Sequence, residues 1–315
     1  MDLQLLQHRA DIIRKIRSFF DRKNYLETDT PLLSPDLIPE SCLEVFETSR
    51  IMPSASPLPL YLVPSPEIWM KKIIAEQRTH IYQICKCFRN GESAGRLHSH
   101  EFTMLEYYTM DADYLDSLCL TEELFGFLCQ ADKPIKFMRI TLADAFGRWA
   151  GFDLYDAAEK PGGMEAQARR LGLDPMPGLD VPALYDLIFI HAVEPMLREE
   201  GLVALMDYPA FVPCLAKNNG KTTERWELYA AGIELANCYS EEGDPLKVRA
   251  FFESEAAAKE KSAIVRHRVD HNYWKIFQNR NGQGFPRCSG VALGLDRLIM
   301  YLCQKSSIDA VLPFG

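Results

Sequence analysis

The chain has 315 residues, of which 47% are hydrophobic, 25% charged and 11% aromatic. This is the make-up of an ordinary globular protein and excludes disordered, collagen-like and coiled-coil chains; at this length about 75% of the unfolded surface can be buried, so no disulfide or metal staple is needed. The net charge of −9, from 35 Lys and Arg against 44 Asp and Glu, argues against a non-specific nucleic-acid binder, which works through a basic surface.

The N-terminal stretch MDLQLLQHRADIIRKIRSFF is broken by charge at every turn, unlike a signal peptide. It reads as an amphipathic helix with Ile12, Ile13, Ile16, Phe19 and Phe20 on one face. An alternating strand follows over 25–31 and ends at Pro31, and 51–60 reads as a turn or loop. A short helix from Pro66 to about Glu76 precedes a strand over His80–Arg89, a polar loop over Asn90–His100 and a strand over Glu101–Tyr108. Residues 111–200 read as a helical insertion with Pro/Gly-rich joints. Strands resume over 203–208 and 224–239, a polar helix follows Pro245, and Cys288–Gln304 reads strand, glycine turn, helix. Strands around a central helical block indicate an α+β fold, an antiparallel sheet flanked by helices.

No run approaches the roughly 18 apolar residues of a membrane span, so no membrane association is expected. The nine cysteines form no CxxC pair and no zinc spacing, which fits reduced thiols in a cytoplasmic protein. Neither GxGxxG nor GxxxxGK[ST] occurs, which leaves Rossmann and P-loop nucleotide sites without support.

Strand parity isolates the residues that carry chemistry. Gln83, Cys85, Cys87 and Arg89 share one face of their strand, and Phe102, Met104, Glu106 and Tyr108 share one face of the next. Glu106 either meets solvent on a half-exposed sheet or is buried and needs a partner or a cationic ligand. Arg89 suits bidentate phosphate contact, and Phe102 could stack on a base; a mixed-charge surface hairpin is the other reading of that loop. Glu227, Glu234 and Glu241 punctuate an apolar stretch, where carboxylates can hold a hard cation such as Mg²⁺ with phosphate oxygens. Glu234 has the opposite parity to Asn237, Tyr239 and Glu241. A bulge or bend must intervene if all line one site. Arg297 follows Gly294 at a helix start, a position that suits either an anion or an exposed salt bridge.

Taken together, the segments resemble the catalytic domain of a class II aminoacyl-tRNA synthetase of the lysyl type. Residues 9–31 resemble motif 1, CFRN…HEFTMLEYY (87–108) motif 2, and SGVALGLDRLIM (289–300) motif 3. VPSPEIWMKKI (63–73) and YAAGIELANCYSE (229–241) resemble the family's lysine-pocket segments. The resemblance spans nearly all of 1–315 as one catalytic domain. Motif 1 begins within ten residues of Met1, which leaves no room for an N-terminal anticodon-reading OB-fold. The chain is therefore similar to the short paralogues that ligate lysine or (R)-β-lysine to elongation factor P.

That resemblance implies ATP as substrate, Mg²⁺, an elongation factor P acceptor rather than tRNA, and a homodimer built on motif 1. It implies that Arg89 and Arg297 carry catalysis, on the α- and γ-phosphates respectively. Asn90, Glu92, Ser99 and Phe102 are implied on the ATP side, with Leu228 and Gly294. Glu227 and Glu234 are implied as the Mg²⁺ ligands. Ser65 and Glu67 are implied at the substrate amino end, and Glu106, Tyr108, Glu241 and Asn237 around the side-chain ammonium; Glu234 also belongs to the substrate set. Ala292 stands where tRNA-charging relatives usually have Gly, a position associated with β-lysine preference. Three departures from the family pattern stand out: Gly91 precedes Glu92 in motif 2, His98-Ser-His-Glu-Phe102 replaces His-Asn-Pro-Glu-Phe, and Asn237-Cys-Tyr239 replaces Asn-Gly-Phe. The rival readings are a truncated tRNA-lysylating enzyme, a free amino-acid ligase and a catalytically inactive regulatory subunit.

Overall fold

The computed structural model describes residues 3–91, 95–278 and 283–314. The chain divides into two compact units, Met1–Pro134 with Ser240–Gly315, and Ile135–Tyr239. The first unit opens with α1 (Leu3–Arg22), β1 (Leu26–Glu27), β2 (Leu33–Ser34), β3 (Glu47–Arg50), β4 (Leu58–Leu62) and α2 (Glu67–Gln77). It continues through β5 (Ile81–Phe88), β6 (Glu101–Met110) and α3 (Tyr114–Leu128). The second unit holds β7 (Met138–Thr141), α4 (Leu142–Ala145), α5 (Leu154–Glu159), α6 (Gly163–Arg170), α7 (Val181–Ile188), β8 (Leu202–Pro209), β9 (Thr222–Ala230) and β10 (Ile233–Ser240). The chain returns to the first unit with α8 (Pro245–Ser262), β11 (Cys288–Gly294) and α9 (Leu295–Leu302).

In the first unit, α1 buries the stripe Ile16, Phe19 and Phe20 that its periodicity predicts. Phe20 stacks on Tyr82 of β5 at 4.6 Å between ring centres. The helix stops where Asn24 takes a left-handed φ of 59°, and the Tyr25 N–H donates back to the Phe20 carbonyl at 3.0 Å. Asn tolerates that conformation because its short polar side chain bonds locally. The strands run in the order β1–β5–β6–β11. β5 with β6 and β6 with β11 are antiparallel, whereas β1 lies parallel to β5. A small antiparallel sheet, β2–β4–β3, covers Val45, Tyr61 and Val63.

The second unit orders its strands β10–β9–β8–β7. β10, β9 and β8 are antiparallel and β7 is parallel to β8. Leu142, Phe146, Leu154, Tyr185, Ile188 and Leu205 form its core. The β9–β10 turn places Ala231 and Gly232 at φ 48° and 78°, as a two-residue hairpin with the right-handed twist requires.

The fold is α+β, and its particulars correct several expectations. The sheets are mixed rather than purely antiparallel, because β1 and β7 are short edge strands reached through long connections. Of residues 25–31 only Leu26–Glu27 pair, and β4 begins inside the expected 51–60 loop. The stretch 224–239 is two strands about a turn. Helix α3 falls in the first unit, and the helices of the second unit start at Leu142. Among the described residues no helix is long and apolar enough to cross a membrane, and none of the nine cysteines forms a disulfide.

Candidate active site

Strands β5, β6 and β11 present one continuous face in the first unit. Gln83, Cys85 and Cys87 stand opposite Glu106, Met104 and Phe102. On the other flank of β6, Gly290, Ala292 and Gly294 stand opposite Tyr108, Glu106 and Met104. The parity drawn from the sequence therefore places these residues together.

Glu106 is buried, with 3% of its surface exposed. The Tyr108 hydroxyl donates to its Oε1 at 2.8 Å, while its buried Oε2 has no hydrogen-bond partner among the described residues. Burial, followed by the charge of Glu67, pushes its pKa well above the carboxylate range. An acceptor that is buried and left open costs free energy unless a ligand satisfies it.

Helix α2 supplies the neighbouring charges. Its N-cap is Pro66, directly after the half-buried Ser65, and Glu67 sits in the first turn, where a carboxylate complements the helix dipole. One turn on, the wholly buried Lys71 lies 2.5 Å from Glu67 Oε1 and 2.8 Å from Glu241 Oε2. Burial pushes Glu241 up to about 7, with Lys71 opposing and Glu67 adding to the shift. The buried Tyr273 donates to the Glu67 carbonyl at 3.4 Å. Gly290 makes room for this cluster: a Cβ there would lie 2.6 Å from Tyr108 Cε1 and 2.9 Å from Glu241 Oε1. Lys71 and Tyr273 went unassigned in the sequence, where a Lys on a helix reads as a solvated charge. The one available signal was the Glu67–Lys71 spacing of four residues.

Arg89 directly follows β5, and its guanidinium carbon stands 5.2 Å from the centre of the Phe102 ring. Its N–H donates to the His100 carbonyl at 3.0 Å. The Asn90 amide is engaged by the chain, donating to the Val45 carbonyl at 3.2 Å and accepting from the Gly91 N–H at 2.9 Å. Ser99 is half-buried in the same loop, and Glu92 lies outside the described residues. Gly294 caps α9, and Arg297 donates from Nε to the Leu97 carbonyl at 3.1 Å. That bond ties Arg297 to the motif 2 loop. The neighbouring Asp296 is the buried acid: it accepts from the Thr103 N–H at 2.6 Å and pairs with Arg9 of α1 at 2.6 Å. Through Arg9, Thr103 and Asp296 these two contacts join residues of all three motif segments.

In the second unit, β9 and β10 bring Glu227 opposite Asn237 and Glu234 opposite Tyr229. The register shifts between Glu234 and Ala236, which is the bulge that the parity conflict demanded. Arg225 donates to Glu227 Oε1 at 2.6 Å and to Asn237 Oδ1 at 3.1 Å, and lies 4.3 Å over the Tyr208 ring. Tyr229 donates to Glu227 Oε2 at 2.9 Å. Burial works against the Arg225 charge, but Glu227 together with Tyr208, Cys214 and Tyr185 outweighs it and raises the guanidinium pKa. Leu228, of the opposite parity on β9, is buried.

Among the described residues no group of three or more His, Cys, Asp or Glu converges as a metal cage. Glu227 and Glu234 nevertheless fit Mg²⁺, which binds through one or two carboxylates and takes its remaining ligands from water and phosphate. Each carboxylate oxygen has two lone pairs, so the bonds Glu227 accepts from Arg225 and Tyr229 leave capacity for a cation.

A family model described as tRNA synthetases class II (D, K and N) matches residues 3–315. Among curated relatives, an elongation factor P–(R)-beta-lysine ligase of Vibrio atlanticus is 35% identical over 319 residues, 99% of this chain and 95% of that protein. The protein of the same name from Photobacterium profundum is 36% identical over 320 residues, with 99% and 95% covered. Its counterpart in Vibrio cholerae serotype O1 is 33% identical over 315 residues, with 98% and 94% covered.

Proposed function

The chain belongs to the class II (D, K and N) family of tRNA synthetases, and on that premise we propose that it is an ATP-dependent, AMP-forming ligase that places lysine or (R)-β-lysine on a lysine side chain of elongation factor P. The observation that carries the substrate class is Glu106, a buried carboxylate with one oxygen bonded by Tyr108 and the other open. A desolvated ammonium needs such an acceptor, and a site built to pair it rejects analogues that lack the charge. The names of the relatives supply the acceptor and the β-lysine preference.

Two displacements make up the reaction. The substrate carboxylate attacks the α-phosphorus of ATP, an acyl-phosphate bond forms, and pyrophosphate leaves. The acceptor amine then attacks the acyl carbon, an amide forms, AMP leaves with the bonding pair, and the amine proton passes to solvent. No side-chain nucleophile is needed, so catalysis is positioning and charge stabilisation. Arg89 is assigned the α-phosphate and substrate carboxylate, and Arg297 with Gly294 the γ-phosphate. Phe102, Ser99 and Glu92 are assigned the adenine side, and Asn90 is assigned to ATP. Ser65 and Glu67 take the substrate amino end, Glu106, Tyr108 and Glu241 its side-chain ammonium, and Ala292, opposite Glu106, bears on α- against β-lysine. In the second unit Leu228 is assigned to ATP, Asn237 to substrate, and Glu227 and Glu234 to Mg²⁺, which neutralises phosphate charge when bound. The reading includes a homodimer through α1 and a cytoplasmic location, and it excludes tRNA as acceptor.

The test offers purified protein, ATP, Mg²⁺ and labelled lysine or (R)-β-lysine to elongation factor P and, separately, to total tRNA. Label on the factor, favouring β-lysine, supports the ligase. Label on tRNA makes the protein a tRNA-charging enzyme, and no pyrophosphate exchange with any amino acid makes it a regulatory paralogue. A monomeric mass by light scattering removes the dimer.

A further inference from the structure

Cys85 and Cys87 have no part in the assignments above, yet they stand on the face of β5 that carries the site. Their Sγ atoms are 3.8 Å apart. Cys85 is half-buried and Cys87 is buried. Along β5 the pair lies between Arg89 and Gln83, and Gln83 faces Glu106. Across the ladder, Met104 stands opposite Cys85 and Phe102 opposite Cys87, so the neighbours there are a thioether and a ring. The bond between the two thiols holds Cys85 below its usual pKa, and the same bond, followed by burial, pushes Cys87 well above its own. Cys85 is the readier thiolate and Cys87 its donor.

Three chemistries use two thiols so placed, and the structure separates them. Residues two apart on a strand lie about 6.7 Å apart at Cα, the outer limit for a disulfide, so oxidation would have to buckle β5. Zn²⁺ takes four ligands, and among the described residues no third His, Cys, Asp or Glu converges with the pair. Cu(I) is selected by thiolate and thioether sulfur, and two thiolates already complete a site for it. We propose that Cys85 and Cys87 form a binding site for Cu(I), placed so that the bound ion blocks amino-acid activation. On binding, two S–Cu bonds form, both thiol protons pass to solvent, and no electron is transferred. The ion occupies the face between Arg89 and Glu106, which a substrate with its carboxylate at one and its ammonium at the other must span. That effect on activation rests on the reading of the protein as a lysine-activating enzyme; the binding does not.

The experiment titrates Cu(I), kept reduced without oxygen, into the wild-type protein and into C87S, in competition with the coloured chelator bicinchoninate. Ser keeps the size of the side chain and offers a soft ion no ligand. The wild-type protein should hold its first equivalent more than about 100-fold tighter than C87S does, above the roughly 10–100-fold that outer-shell changes cost a metal site. C85S should show the same loss, so whichever variant keeps its fold by circular dichroism decides. Equal affinity in the wild type and the folded variant overturns the site, and displacement of the ion by equimolar Zn²⁺ overturns the choice of a soft monovalent cation. In ATP–pyrophosphate exchange with lysine, one equivalent of Cu(I) should abolish wild-type activity and spare C87S, whose copper-free exchange should match wild type. Inhibition of both alike overturns the block. Absence of exchange with every amino acid in the copper-free wild-type protein instead overturns the underlying function, and the titration still decides the site.

Discussion

Glu106 and Glu227 are both strand carboxylates set among tyrosines, and they are finished differently. Glu227 receives a guanidinium on one oxygen and a phenol on the other. Glu106 receives a phenol on one oxygen and, among the described residues, nothing on the other. The β9–β10 cluster has its cation built in, so its charge is held by an arginine of the same strand. The β5–β6–β11 pocket withholds a cation from Glu106 and commits Lys71 to Glu67 and Glu241 instead. A carboxylate with a resident partner has its charge balanced before anything binds; one without is completed only by what binds.

The largest effect that would break this contrast is at Glu106. E106Q keeps the shape and removes the charge, and activation of lysine should drop by about 100-fold or more, the scale of losing one partner of a buried charge pair. Pyrophosphate exchange measures this, and circular dichroism should show an intact fold; near-normal exchange would remove Glu106 from the site. The matching change at Glu227 acts on stability. R225M leaves that carboxylate without its cation and should cost about 3 kcal/mol, read from the urea midpoint. A midpoint within the error of wild type would show that Arg225 is dispensable to the cluster.

Smaller effects sharpen the contrast. G290A inserts a Cβ into Tyr108 and Glu241 and should cost about 1–3 kcal/mol of strain, with KM for lysine rising while KM for ATP stays. Equal changes in both constants would point to general distortion. The pH dependence is the mildest. Glu241 rises from 4.5 to about 7 in the folded protein, through burial first and then the opposed charges of Lys71 and Glu67. A carboxyl so raised binds more protons folded than unfolded between these values, so its contribution to stability falls as pH rises from about 4.5 to 7. An ammonium ligand needs the ionised form, so KM for lysine should fall between pH 6 and pH 8. Stabilisation by lysine in thermal melts should grow over the same interval, and a flat profile would separate Glu241 from the ligand.

Much of the site could be read along the chain. Alternation put Gln83, Cys85 and Cys87 on one face, and Phe102, Met104 and Glu106 on another, because side chains in a strand have period two. The parity conflict at Glu234 pointed to the bulge. The helical stripe of α1 and the glycine before α9 were equally plain. Local geometry fixes all of these within a few residues.

Whether Glu106 met water or a core was open, because period two names a face and not its surroundings. The burial of Lys71 was hidden for a related reason: Glu67 lies one turn away, but Glu241 is distant in sequence. Arg9 and Asp296 form a buried pair across almost the whole chain, and neither differs locally from a surface charge. The two parallel edge strands were missed because parallel pairing depends on where a long connection returns. The sequence by itself determined the elements, the faces and the inventory of charges, since these follow from bonding and spacing along the backbone. The tertiary structure alone decided which charges lost their water and which partner each then found, because desolvation and long-range pairing belong to the packed chain and not to any segment of it.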